Sequence, residues 1–154
     1  MDDERWMGEA LKEARKAFMR EEVPVGTVAV VGGQLVARAY NQVELLRDAT
    51  AHAEMLVLGM TSEYLANWRL LDATIYCTLE PCVMCAGALL NARVKRLVWG
   101  APDLRQGANG SWVNLFAQRH PMHRLEVTSG VLAAEAAALM QEFFMRCRQR
   151  EGSH

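Results

Sequence analysis

The chain has 154 residues, about half of them apolar, and a formal net charge of −1. That length fits a single domain over residues 1–154 with one substantial core. The near-neutral balance excludes a generally basic nucleic-acid binder, and no apolar run approaches the ~18 residues of a membrane span.

Charge is spread unevenly, with residues 1–92 net acidic and residues 93–150 net basic. A basic second half can supply phosphate contacts that the whole-chain charge conceals, although solvated surface charge explains the same pattern. The opening Met1-Asp2-Asp3-Glu4-Arg5 is the opposite of a secretion signal, so the protein is expected in the cytoplasm, where it is made. Repeats, low-complexity tracts and linkers are not evident.

Residues 3–21 predict an amphipathic helix, with Trp6, Met7, Ala10, Leu11, Ala14, Ala17 and Phe18 recurring at helical spacing. Pro24 stops it. Val25 to Val31 is β-branched and apolar, Gly32-Gly33 marks a turn, and Gln34 to Tyr40 returns as the second strand of a hairpin. A polar loop then leads to Thr50, expected to cap a helix over about 51–60 with His52 and Glu54 in its first turn. Thr61 to Leu71 reads as irregular. Ala73 to Cys77 predicts a strand, and Pro81 opens a helix over about 82–92. Arg96 to Trp99 and Leu125 to Thr128 predict further strands around a loop at Gly100 to Gly110. Ala133 to Arg150 predicts a long closing helix with Leu139, Phe143 and Phe144 on its apolar side. Strand and helix alternate after the hairpin, which predicts a mixed sheet with helices on both faces.

Two short stretches carry the chemistry. His52-Ala53-Glu54 offers an imidazole and a carboxylate, and Pro81-Cys82-Val83-Met84-Cys85 offers two thiolates one helical turn apart. His52, Cys82 and Cys85 make three ligands for one zinc ion. Three protein ligands leave the fourth tetrahedral position open, as in catalytic rather than structural zinc sites. The arrangement H-x-E followed by P-C-x-x-C is the signature of zinc deaminases, in which the glutamate is an acid/base and not a ligand. Zinc lowers the pKa of a bound water from ~15.7 towards ~7, and Glu54 is placed to shuttle its proton.

The competing readings are a redox dithiol and a closed structural zinc with Cys77 as fourth ligand. A cysteine inside an apolar strand is more often core, however. Cys147 is read as core or surface. His120 and His123, in a loop with Pro121, are read as facing solvent or a phosphate.

Beyond these motifs the chain resembles bacterial tRNA-specific adenosine deaminases (TadA type), within the cytidine deaminase-like superfamily. Glu22-Val23-Pro24-Val25-Gly26, Thr50-Ala51-His52-Ala53-Glu54 and the run from Thr78 to Ala88 match family segments, and the resemblance extends over about residues 6–150. It implies a three-layer α/β/α sandwich around a five-stranded mixed sheet. It also implies one zinc per subunit, a homodimer, and a tRNA anticodon stem-loop as substrate, with adenosine at the wobble position hydrolysed to inosine. Asn41 and Asp103 fall at substrate-contacting positions of the family, and Val25, Ala53, Arg105 and Phe144 complete the expected substrate site.

Ala49, Thr27, Pro102 and Arg105 depart from the family pattern; Ala49 stands where proline is usual. Arg93, Lys95, Arg96, Arg105, Arg119, Arg124, Arg146 and Arg148 are candidate phosphate contacts, at least half of them expected to be plain surface charges. The alternative is a zinc-dependent deaminase of a free nucleobase or nucleoside, since the metal chemistry is blind to what carries the base. A non-enzymatic RNA-binding module has no use for Glu54.

Overall fold

A computed structural model describes residues 2–117 and 119–152; Met1, Gln118, Ser153 and His154 lie outside the described residues. The elements run α1 (Asp3–Met19), β1 (Gly26–Val31), β2 (Gln34–Tyr40), α2 (Val43–Leu46), α3 (Ala53–Leu65), β3 (Ala73–Leu79), α4 (Val83–Asn91), β4 (Arg96–Ala101), β5 (Glu126–Ser129) and α5 (Ala133–Glu151). The five strands form one sheet in the order β2-β1-β3-β4-β5. β1 pairs antiparallel with β2 and β3, whereas β3–β4 and β4–β5 are parallel, so the sheet is mixed as the alternation of elements predicts.

Alternation along the strands sends neighbouring side chains to opposite faces. Ile75 and Leu97 pack with Val57 and Leu58 of α3 and with Leu89 and Leu90 of α4. Tyr76 and Val98 pack on the other face against Trp6, Met7 and Ala10 of α1. Helix α5 joins α1 on that face through Ala136. The result is a three-layer α/β/α sandwich around a five-stranded mixed sheet.

Two contacts fix α1 to the sheet. Gly26 opens β1 where a Cβ would lie 2.0 Å from the Ala10 carbonyl oxygen and 2.4 Å from the Ala14 nitrogen, so only glycine permits this approach. At the helix start, Arg96 grips Asp3 with both terminal nitrogens, at 2.8 and 2.6 Å, and Tyr76 donates to the same carboxylate at 2.8 Å. Arg96 also donates to Thr128 on β5, so one guanidinium ties α1 to β4 and β5. The candidate phosphate contact Arg96 is therefore committed to the scaffold.

Three expectations are corrected. Thr50 does not cap α3; its hydroxyl and its backbone N–H both donate to Asp48, and His52 takes the N-cap position. The helix does not stop at residue 60. Thr61 is buried and satisfies its hydroxyl by donating to the Val57 carbonyl at 2.7 Å, which lets the helix run to Leu65. The polar loop after β2 contains the short helix α2, held by a side chain far away in sequence, Glu22.

Candidate active site

Helices α3 and α4 begin side by side at the ends of β1 and β3. His52 precedes the first residue of α3 with extended backbone, and Cys82 does the same for α4. Both motifs therefore point the positive ends of their helices at one place, which favours thiolates and other anions there. The ligand atoms of His52, Cys82 and Cys85 all lie within 4.8 Å of one another. Nδ1 of His52 stands 3.6 Å from the sulfur of Cys82 and 3.6 Å from that of Cys85. Zinc bonds of ~2.0–2.1 Å to nitrogen and ~2.3 Å to sulfur, set at a tetrahedral angle, put nitrogen and sulfur roughly 3.6 Å apart. The donor set thus fits a tetrahedral zinc ion in both chemistry and spacing.

Electrostatics agree. The Cys82 thiol is pulled down to about 4, chiefly by hydrogen bonding from Cys85 and also from the His52 ring, against the effect of partial burial. Cys85 is pushed up by its hydrogen bond to Cys82 and by burial. A divalent cation among these groups would be held by deprotonated sulfurs, so its binding would release protons. The His52 ring is raised, first by its hydrogen bond to Cys82.

Glu54 sits in the first turn of α3 and is 3 % exposed. Its Oε1 is buried without a hydrogen-bond partner among the described residues. Burial raises its carboxyl above the ordinary carboxylate range, the shift expected of a proton shuttle working near neutrality. A buried oxygen without a partner is costly, and in native proteins such an atom usually meets a ligand, a water or a reacting group.

Above this group opens a cavity of about 670 Å³. Asn41, Val25, Ala53, Asp103 and Arg105 all line it, together with Phe143 and Met140 of α5. Phe144 does not; it borders a neighbouring groove, where the Arg105 guanidinium lies 4.4 Å from its ring centroid. Phe143 stacks edge-on against Phe18 and Phe144 and forms the α5 wall. Asn41 is buried and its backbone N–H donates to the Val25 carbonyl at 3.0 Å.

Cys77 lies outside the three-ligand group. It is fully buried in β3 and accepts the Thr27 hydroxyl at 3.4 Å, which gives the departing residue Thr27 a partner across the β1–β3 pair. Cys147 lines the cavity wall. His120 turns its Nδ1 inward to accept the N–H groups of Met122 and His123, while His123 bonds the Val94 carbonyl, remote from the three-ligand group.

Sequence reasoning gave no role to Glu22 and Glu80, two buried carboxylates on the cavity wall. Glu22 accepts the N–H groups of Glu44 and Leu45 and so holds α2 at one side of the mouth. Glu80 holds the opposite loop. Glu80 directly precedes Pro81 and Glu22 stands two residues before Pro24, but only long-range contacts reveal what they do.

The model of the MafB19-like deaminase family matches residues 1–148. The chain is 51% identical over 158 residues to the chloroplastic tRNA(adenine(34)) deaminase of Arabidopsis thaliana, covering 92% of this chain but only 12% of that protein. It is 45% identical over 149 residues to the tRNA-specific adenosine deaminase of Bacillus subtilis, covering 97% of this chain and 92% of that one. A solved tRNA:A34 deaminase, studied for A-to-I editing at the wobble position of transfer RNA, superimposes with a TM-score of 0.84. Its sequence identity is 45%, over 88% of this chain and 98% of that one. The chain belongs to the tRNA-specific adenosine deaminase family of zinc-dependent hydrolases.

Proposed function

We propose that this chain hydrolyses adenosine to inosine at the wobble position of a tRNA anticodon. The observation that carries the reading is the pairing of an open three-ligand group, His52, Cys82 and Cys85, with buried Glu54 beside it, whose Oε1 has no hydrogen-bond partner among the described residues. The named activity of relatives at 45% identity over nearly the whole chain supports it.

Zinc is the proposed resident metal, one per subunit; when bound it acts as a Lewis acid that acidifies water near neutral pH. Each side chain then has a task. His52, Cys82 and Cys85 hold the ion. Glu54 takes a proton from water and passes it to the departing nitrogen, so the C6–N bond breaks, a C6–O bond forms and ammonia leaves. Val25 and Ala53 offer apolar walls to the flat base, and Asn41 offers the polar contact that orients it. Asp103 and Arg105 face the flanking strand, and Phe144 with its stacked arginine extends that surface outward. A loop nucleotide splayed from a single strand suits such a pocket better than a base inside a duplex.

A homodimer is part of the proposal. Met60, Tyr64, Trp68 and Leu71 expose apolar surface along one stretch of chain, as subunit contacts do. Among the described residues no helix is long and apolar enough to cross a membrane.

The test is substrate comparison. The zinc-loaded protein should form inosine in an anticodon stem-loop and leave free adenosine, guanine and cytosine essentially untouched. Rapid turnover of a free base with none on the RNA would establish the small-molecule alternative.

A further inference from the structure

Glu80 does not touch the reacting centre, yet it is 2 % exposed and carries a dense set of hydrogen bonds. It stands between the end of β3 and Pro81-Cys82. Its Oε1 accepts the Asp103 N–H at 3.1 Å and the Ser111 hydroxyl. Its Oε2 accepts the N–H groups of Asn109 at 2.8 Å and Ser111 at 3.3 Å. Every donor comes from the loop after β4, which therefore wraps around one carboxylate. Gly107 makes the wrap possible: a Cβ there would lie 2.2 Å from the Glu80 carboxyl carbon. The same loop is stitched to the metal-ligand segment, since Ala108 donates to the Pro81 carbonyl at 2.8 Å and Gly107 bridges to Cys82.

That loop carries Asp103 and Arg105 on the cavity wall. We propose that Glu80 is a positioning residue that holds the loop 103–111 in register with the Pro81–Cys82 segment and thereby sets how tightly the substrate strand is bound. The inference rests on the RNA-deaminase reading for its substrate, but not for the loop contacts. Each carboxylate oxygen of Glu80 accepts at least one backbone N–H. A glutamine is the same size but turns an amide N–H₂ towards backbone N–H groups, so it breaks the arrangement without opening a cavity.

The experiment compares wild type, Glu80→Gln and Ser111→Ala, each loaded with zinc. Three readings are taken: metal content, steady-state kinetics on an anticodon stem-loop, and amide hydrogen exchange without RNA. For Glu80→Gln the expected result is a rise in KM of about tenfold or more, the loss typical of hydrogen bonds to a charged group. Its kcat should stay close to wild type, because His52, Glu54 and Cys85 lie outside the loop. Metal content should be unchanged, and faster exchange should be confined to residues 103–111. Ser111→Ala removes the side-chain donor alone and should move KM and exchange the same way by less. Loop amides that stay protected in Glu80→Gln overturn the proposal, as does an unchanged KM with a loosened loop. If Glu80→Gln fails to fold, wild-type KM and exchange in Ser111→Ala overturn it. A wild-type protein that forms no inosine counts against the proposed activity instead, and the exchange comparison still decides whether Glu80 holds the loop.

Discussion

At the scale of single residues, the site brings together three groups that could hold a cation, His52, Cys82 and Cys85, and one buried carboxylate, Glu54. Cys82 and Cys85 both lie within 4.8 Å of the His52 ring nitrogen, so removing either sulfur removes one of the three donors. Cys82→Ala and Cys85→Ala are each expected to lose zinc, read by elemental analysis, and to lose deamination with it. Full activity in a metal-free Cys82→Ala protein would refute the ligand assignment. That His52, Cys82 and Cys85 come together was legible from the sequence, because residue type and a spacing of one helical turn at two helix starts bring the donors within 4.8 Å of one another. Glu80 was not, because its partners lie more than twenty residues away and no local pattern encodes a loop wrapped around a carboxylate. The α5 wall was half legible. Two adjacent aromatic residues cannot face one way on a helix, and only the packed chain shows that Phe143 lines the cavity while Phe144 stacks with Arg105.

Among the elements, strands β1 to β4 were readable from β-branched alternation and turn residues, and α4 from Pro81. The misread boundaries share a cause. Thr50 and Thr61 carry hydroxyls that satisfy themselves locally, one on Asp48 and one on a helix carbonyl, and either pattern is compatible with the same sequence. The attachment of α1 yields two predictions. Gly26→Ala forces a methyl group into the α1 backbone, and overpacking costs about 1–3 kcal/mol even where side chains can yield. At roughly 2–4 °C per kcal/mol for a chain of this size, the melting temperature should fall by several degrees with metal affinity retained. An unchanged melting temperature would show that α1 can move away from β1. The second concerns acid. Hydrogen bonding from Arg96, followed by that from Tyr76, holds the Asp3 carboxyl below its ordinary range in the folded chain. Its contribution to stability is therefore complete above about pH 4 and is lost as pH falls through the lower folded-state value. Denaturant midpoints measured from pH 7 to pH 2 should drop less steeply in Asp3→Asn than in wild type. Parallel curves would mean the clamp does not contribute.

For the whole molecule, net charge hides how the arginines are used. Arg96 is bound to Asp3, Arg146 to Glu142 and Arg150 to Glu21, so three of the nine basic residues in 93–150 are already paired with carboxylates within the fold. Arg105 remains at the cavity mouth, backed by an aromatic ring rather than a carboxylate. Its proposed role is a phosphate contact. Binding of an anticodon stem-loop should weaken with salt, and Arg105→Ala should flatten the log–log salt slope by ~0.7, the value for one phosphate contact on a single strand. A slope identical to wild type would remove Arg105 from the interface.

The central claim is that Glu54 moves protons without holding the metal. Glu54→Ala, assayed for both zinc content and inosine formation in the stem-loop, tests it most directly. The expected result is full zinc occupancy with turnover reduced by about 10²–10⁴-fold, the usual contribution of a general acid–base group. Loss of the metal in that variant, or inosine formed at the wild-type rate, would contradict the account.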